Sequence, residues 1–319
     1  MIHDPVPEDA LKAATHANPY PYYARLVQEA PFFFDPALHA WIASDSRHVE
    51  AVFVHPQARV VAPEGLTHEV RQHLARFNDG AEHATLRSHV TTLLDALEVH
   101  GEASPGVLGD TVGLDDFIRA FPVYAVANAL DILPARVPQI LEKLAAGWTT
   151  IGSLTTEFGI HPAVAGLLFQ TYDATRGLIG NTLLAMLRAE ANIDQNSTDY
   201  NLRASIDRTV REDSPVQNTR RVMRSAAHIG DTHVTAGADI LLVIGAANRD
   251  PAASQVFTFG MGAHACPGQR LAVATTQAAL RLIFARNMHR SANPDRVTYL
   301  ASRNARIPIF NTQPQGFQV

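Results

Sequence analysis

A single cysteine, Cys266, in 319 residues excludes an internal disulfide. Long apolar runs are missing as well: the longest, Ile240 to Ala247, holds a glycine and is far too short to cross a bilayer. Positive charge is not in excess, with 26 Lys and Arg against 31 Asp and Glu and a net charge of −5, so the electrostatic footprint of a nucleic-acid binder is absent. Met1 to Tyr20 shows no basic-then-apolar leader, and the chain shows neither internal repeats nor a low-complexity linker. These absences predict a protein of the reducing cytoplasm without membrane or nucleic-acid partners, folded as one domain over residues 1–319. With 46% hydrophobic residues it can bury a large core.

What is present reads as mainly helix. Prolines precede a short amphipathic helix around Tyr20 to Leu26. His39 to Ser44 has strand character, and Asp45 or Ser46 can cap a helix running to about Val54. Apolar residues recur at helical spacing from Leu114 to Leu141, with Pro122 able to open a second piece and Pro134 breaking it. Ala163 to Leu187 is another long helical pattern. Arg221-Val222 and Val234 to Val243 read as strands around turns, so the expected fold class is mainly α with a small β region.

The stretch that organises the chain is Phe259-Gly260-Met261-Gly262-Ala263-His264-Ala265-Cys266-Pro267-Gly268-Gln269-Arg270-Leu271-Ala272. Its glycines permit a turn tight enough for backbone to approach a flat ligand, and a helix follows from Leu271. A lone cysteine is usually a small buried hydrophobe. Its neighbours argue otherwise, because this order resembles the heme-ligand loop of the cytochrome P450 superfamily, the heme-thiolate monooxygenases. The resemblance implies heme b (iron protoporphyrin IX) as cofactor and Cys266 as the axial metal ligand, with Phe259 near the sulfur and His264 toward a propionate. Pro267 has no N–H to aim at the sulfur, which would leave the thiolate more electron-rich.

His83 and Arg87 stand four residues apart, on one face of a helix, where both can meet one anion; alone they would also suit a solvated basic face. The same resemblance makes them propionate partners, with Arg221 as a third. It aligns Gln170-Thr171-Tyr172-Asp173-Ala174-Thr175 with the oxygen-handling turn of the family's long distal helix. There Asp173 and Thr175 are the candidate catalytic residues, although Asp173 also reads as a surface or ion-paired acid. Ala174 replaces a hydroxyl, and an alanine cannot donate a hydrogen bond. Arg208-x-x-Arg211 stands where the family has Glu-x-x-Arg, so Arg211 would need another acceptor if buried.

The intervals between motifs are short. Arg87 to Ala174 leaves little room for the family's substrate lid, and Asp250-Pro251 runs almost directly into Phe257 without most of the meander segment. The resemblance thus implies one heme-binding domain truncated in lid and meander. Its expected reaction is hydroxylation of a small lipophilic or carrier-bound metabolite, with dioxygen and electrons from a ferredoxin-type donor. Two alternatives stay open: a peroxide-driven or redox-neutral heme enzyme, and a non-catalytic heme-binding sensor or scaffold.

Overall fold

A computed structural model describes residues 6–63, 65–97, 112–189 and 199–310. Its helices are α1 (Tyr20–Glu29), α2 (Ser46–Val54), α3 (His68–Arg71), α4 (Gly80–Ala96), α5 (Leu114–Ala129), α6 (Val137–Ala145), α7 (Ile151–Phe158), α8 (Pro162–Arg188), α9 (Asp199–Glu212), α10 (Ile244–Ala247) and α11 (Gln269–Ala285). The strands that matter for the site are β1 (Phe32–Asp35), β2 (Ala40–Ala43), β3 (Ala58–Arg59) and β4 (Thr219–Met223). They are followed by the hairpin β5 (Ala227–Ile229) and β6 (Thr232–Val234), and by β7 (Asp239–Leu242). The mainly helical expectation with a small β region therefore holds.

The sheet has the order β1-β2-β7-β4-β3. Its β2 and β7 run parallel, pairing Trp41 with Ile240, while β7 and β4 run antiparallel and pair Ile240 with Arg221. Asp45 is the cap of α2, its carboxylate accepting from the His48 N–H at 3.1 Å, which satisfies one of the free donors at the helix start. Pro122 does not begin a new helix. It lies buried inside the continuous α5, where packing among Phe117, Phe121 and Val126 outweighs the missing backbone hydrogen bond. The break comes later, where Asp131 takes a left-handed conformation and Pro134 opens a short 3-10 turn.

The longest described helix, α8, spans 27 residues, about 40 Å at the rise of an α-helix. It starts on Pro162 at its first position, with His161 capping the Ala163 N–H at 3.2 Å. One half packs Leu167 and Leu168 with α6 and α7 through Ile140, Leu144 and Leu154; the other packs Leu183 and Leu184 with α5, α9 and α11 through Phe121, Ile206 and Ile283. Gly177 lets the C-terminal segment lie directly on the helix, since a methyl there would meet the Arg306 carbonyl at 2.9 Å. Between α4 and α8 the described residues form α5, α6 and α7, and a turn joins Asp250 to Phe257, in keeping with the expected shortening of lid and meander.

Arg306 ties the N-terminal segment to the end of α9. Its side chain has no solvent exposure, and Nε donates to Asp213 Oδ1 at 2.8 Å. Its Nη1 donates to the carbonyls of His16 at 2.7 Å and Ala14 at 3.3 Å, and Nη2 to that of Ala17 at 3.2 Å. The guanidinium lies 3.7 Å from the Tyr299 ring centroid.

Candidate functional site

The only cysteine sits where the loop before α11 folds back on itself. Positive φ angles at Gly260 (65°) and Gly262 (66°) make the turn, which any side chain would strain. The Cys266 N–H donates to the Phe259 carbonyl at 2.6 Å, and the Gly260 N–H to that of Phe257 at 2.8 Å. The loop rests on a buried network behind it: Asn248 Oδ1 accepts from the Phe257 N–H at 2.7 Å, Asn248 Nδ2 donates to Thr258 Oγ1 at 2.8 Å, and Thr258 Oγ1 donates to the Val210 carbonyl at 2.5 Å. Backbone satisfied in this way holds its shape without an occupant.

Cys266 opens into a cavity of about 250 Å³ enclosed by α4, α8, β4, the turn Ala75–Phe77 and the start of α11. Its area is accessible because it faces this space, yet protein surrounds it, and burial pushes the thiol pKa up. The Gly268 N–H, Arg76 and Arg87 oppose that shift. Pro267 brings no N–H to the sulfur, as expected, and the next backbone N–H, that of Gly268, acts to lower the thiol pKa.

Six residues anticipated as cofactor contacts, His83, Arg87, Arg221, Phe259, His264 and Cys266, all line this one cavity. The rings of His83 and His264 lie 4.3 Å apart. Burial, followed by His83 and Arg221, lowers the His264 pKa to about 4, and its Nδ1 is buried without a hydrogen-bond partner. Arg87 Nη1 donates to the Ala265 carbonyl at 2.6 Å. Arg221 is 4% exposed and donates to the Arg220 carbonyl at 2.9 Å and Thr219 Oγ1 at 3.4 Å, with no carboxylate partner among the described residues. Burial, and then the repulsion of Arg76, brings its pKa down to about 10. Asp79 backs the cluster, 3.9 Å from His264 and 3.7 Å from Arg224.

From α8, Gln170, Thr171, Ala174 and Thr175 join the lining. Thr175, one of the two candidate catalytic residues, is there and buried. Asp173 is outside the lining; burial raises its pKa and Arg176, one turn along the helix, lowers it. Arg208 and Arg211 lie on the exposed face of α9, so the acceptor that a buried Arg211 would need is not required. One residue that the motif reading did not single out also faces the cavity, Arg76 of the turn Ala75–Phe77.

The comparisons with known proteins fit this geometry. A Xylella fastidiosa protein named as a cytochrome P450 (133B2) is 32% identical over 170 residues, covering 49% of this chain and 42% of that protein. The beta-dihydromenaquinone-9 omega-hydroxylase of Mycobacterium tuberculosis is 32% identical over 154 residues, 44% of this chain and 31% of that protein. The chain thus spans less than half the length of these curated relatives. No family model matches it. Among solved structures, the cytochrome P450 enzyme CxnD, for C–S bond formation in chuangxinmycin biosynthesis, has a TM-score of 0.74 at 16% identity and covers 97% of both chains. P450BioI in complex with an acyl carrier protein has a TM-score of 0.69 at 19% identity, covering 84% of this chain and 92% of that one. Over the parts that align the chain is similar in sequence to proteins named as cytochromes P450, and its fold is that of solved cytochrome P450 structures.

Proposed function

We propose that the cavity holds heme b on the Cys266 thiolate and that the chain is a heme-thiolate monooxygenase. Its substrate is a small lipophilic or carrier-bound compound, and its electrons come from a ferredoxin-type donor in the cytoplasm. The observation that carries this reading is the pairing, in one cavity, of a loop-held thiol with guanidiniums that have no carboxylate partner among the described residues. The residues suit the group. Leu94, Leu167, Leu178, Phe257 and Leu271 offer apolar surface to a flat ring system, and Arg87, Arg221 and the orphaned Nδ1 of His264 offer polar contacts to its propionates.

When bound, the heme supplies activation of dioxygen and oxygen transfer to a C–H bond. Cys266 would hold the iron and lend it electron density, with the Gly268 N–H favouring the thiolate. Phe257 and Thr258, buried behind the loop, fix its backbone and so the position of the sulfur. On α8, Thr171 and Thr175 are the hydroxyls lining the cavity and would serve as donors there, while Ala174 adds none. Among the described residues no helix is long and apolar enough to cross a membrane.

The test is the absorption spectrum of heme-loaded protein, reduced and exposed to carbon monoxide, for wild type beside Cys266→Ser. A strongly red-shifted Soret band present only in the wild type is expected. The same band in both proteins, or no heme uptake at all, would remove the reading. Ala174 in the α8 wall favours a second reading, oxidation driven by peroxide. Turnover with a ferredoxin system and none with peroxide would exclude it.

A further inference from the structure

The cavity contains one more guanidinium than a pair of propionates needs. Arg87 and Arg221 stand with His83 and His264 around the loop of Cys266, and that set alone answers two carboxylates. Arg76 comes from another wall. Its turn is pinned by the residues on either side: Leu74 packs into the core beside Ala165 and Leu168 of α8, and Phe77 meets Trp148 edge-on at 5.2 Å. Trp148 in turn lies 4.0 Å from Phe169 of α8. The turn is therefore anchored to α8, and from it Arg76 lies within electrostatic reach of Cys266 and Arg221. Among the described residues Arg76 has no hydrogen bond or ion pair, and its ring contact is with its neighbour Phe77 at 5.7 Å.

Nothing on that wall neutralises it. The α8 residues lining the cavity are Ala163, Leu167, Gln170, Thr171, Ala174, Thr175 and Leu178, all uncharged, while Asp173 stands outside the lining. Arg76 is accessible from the cavity while protein surrounds its charged end, and a guanidinium so placed beside an apolar space is unfavourable until an anion joins it. Resting on the heme reading above, we propose that Arg76 is a substrate-binding residue and that the substrate is an apolar molecule carrying one carboxylate. A singly charged head matches a single guanidinium, which binds carboxylate through two parallel N–H donors.

The test uses the heme-loaded full chain and calorimetric titration with sodium laurate, dodecanol and dodecyl phosphate. Wild type is expected to bind laurate at least about tenfold more tightly than dodecanol, the scale of a charge-assisted hydrogen bond. Arg76→Leu and Arg76→Gln are expected to lose that advantage while keeping dodecanol affinity and heme content, and Arg76→Lys to retain part of it. Equal laurate binding by wild type and Arg76→Leu, or tighter binding of dodecyl phosphate, would overturn the proposal. Loss of heme from Arg76→Leu would overturn it too, by making Arg76 a cofactor contact. Failure of wild type to take up heme would instead bring down the heme reading and this one with it.

Discussion

Arg306 and Arg221 are both buried arginines, and they differ in what surrounds them. Arg306 has a carboxylate, three backbone carbonyls and the Tyr299 ring, all supplied by the protein. Arg221 has one carbonyl, one hydroxyl and the face of Phe53 at 5.1 Å, with the like charge of Arg76 close enough to lower its pKa. A guanidinium with its partners inside the fold serves stability. One buried without an acid is held ready for a partner from outside, at some cost to the empty protein.

The sharpest way to break this comparison is to truncate the saturated arginine. Arg306→Leu leaves Asp213 and the carbonyls of His16 and Ala17 without their donor, and detaches the N-terminal segment from the end of α9. Removing one partner of a buried pair costs about 3–5 kcal/mol, so chemical denaturation should show a loss of that size. A loss under about 1 kcal/mol would mean that the clamp is a passive contact.

The same truncation at Arg221 should act in the opposite sense on the empty protein. Arg221→Leu removes a desolvated cation from beside Arg76 and forfeits two hydrogen bonds to neutral groups and the contact with Phe53, so heme-free stability is expected to stay within about 1 kcal/mol of wild type or to rise. Heme affinity should meanwhile fall by about tenfold or more through the lost charge-assisted contact. Denaturation of the heme-free variant and heme titration separate the two effects. A heme-free loss approaching that of Arg306→Leu would erase the distinction between the two arginines.

Residues that were legible in sequence share a property: their signal is local. The loop from Phe259 to Ala272 is contiguous, and His83 with Arg87 makes a one-turn helical spacing, so both can be read without knowing the fold. Arg221 was readable only because the resemblance aligned it. Arg76 has no motif around it, and only the packing of Leu74 and Phe77 turns it into the cavity. The Arg306 clamp joins Asp213 to residues 14–17 across most of the chain, a contact that no spacing announces. Pro122 shows the converse, a strong local signal overridden by burial inside α5. Asp173 was placed by alignment to a turn of helix, but which side of α8 meets the cavity depends on how the helix is rotated in the bundle.

Arg208 supplies the smallest expected effect and tests the comparison at a third level of burial. The resemblance puts a glutamate at this position, paired with the arginine one turn on, which would make it part of a brace behind the heme loop. In this chain Arg208 Nε donates to Glu212 at 2.9 Å with both side chains well exposed, and Arg203 and Asp207 repeat the arrangement one turn earlier. Exposed pairs at this helical spacing contribute about 0.3–0.5 kcal/mol, and salt screens them. The connection from α9 to the loop runs instead through its buried face: the Val210 carbonyl accepts from Thr258 Oγ1, which also meets Ser214 Oγ at 3.0 Å and Asn248. Arg208→Ala is therefore expected to cost no more than about 0.5 kcal/mol by denaturation at low salt, with heme uptake unchanged. If it lost heme, the brace would run through the exposed face of α9 after all, and an arginine there would be acting on a cavity it does not line.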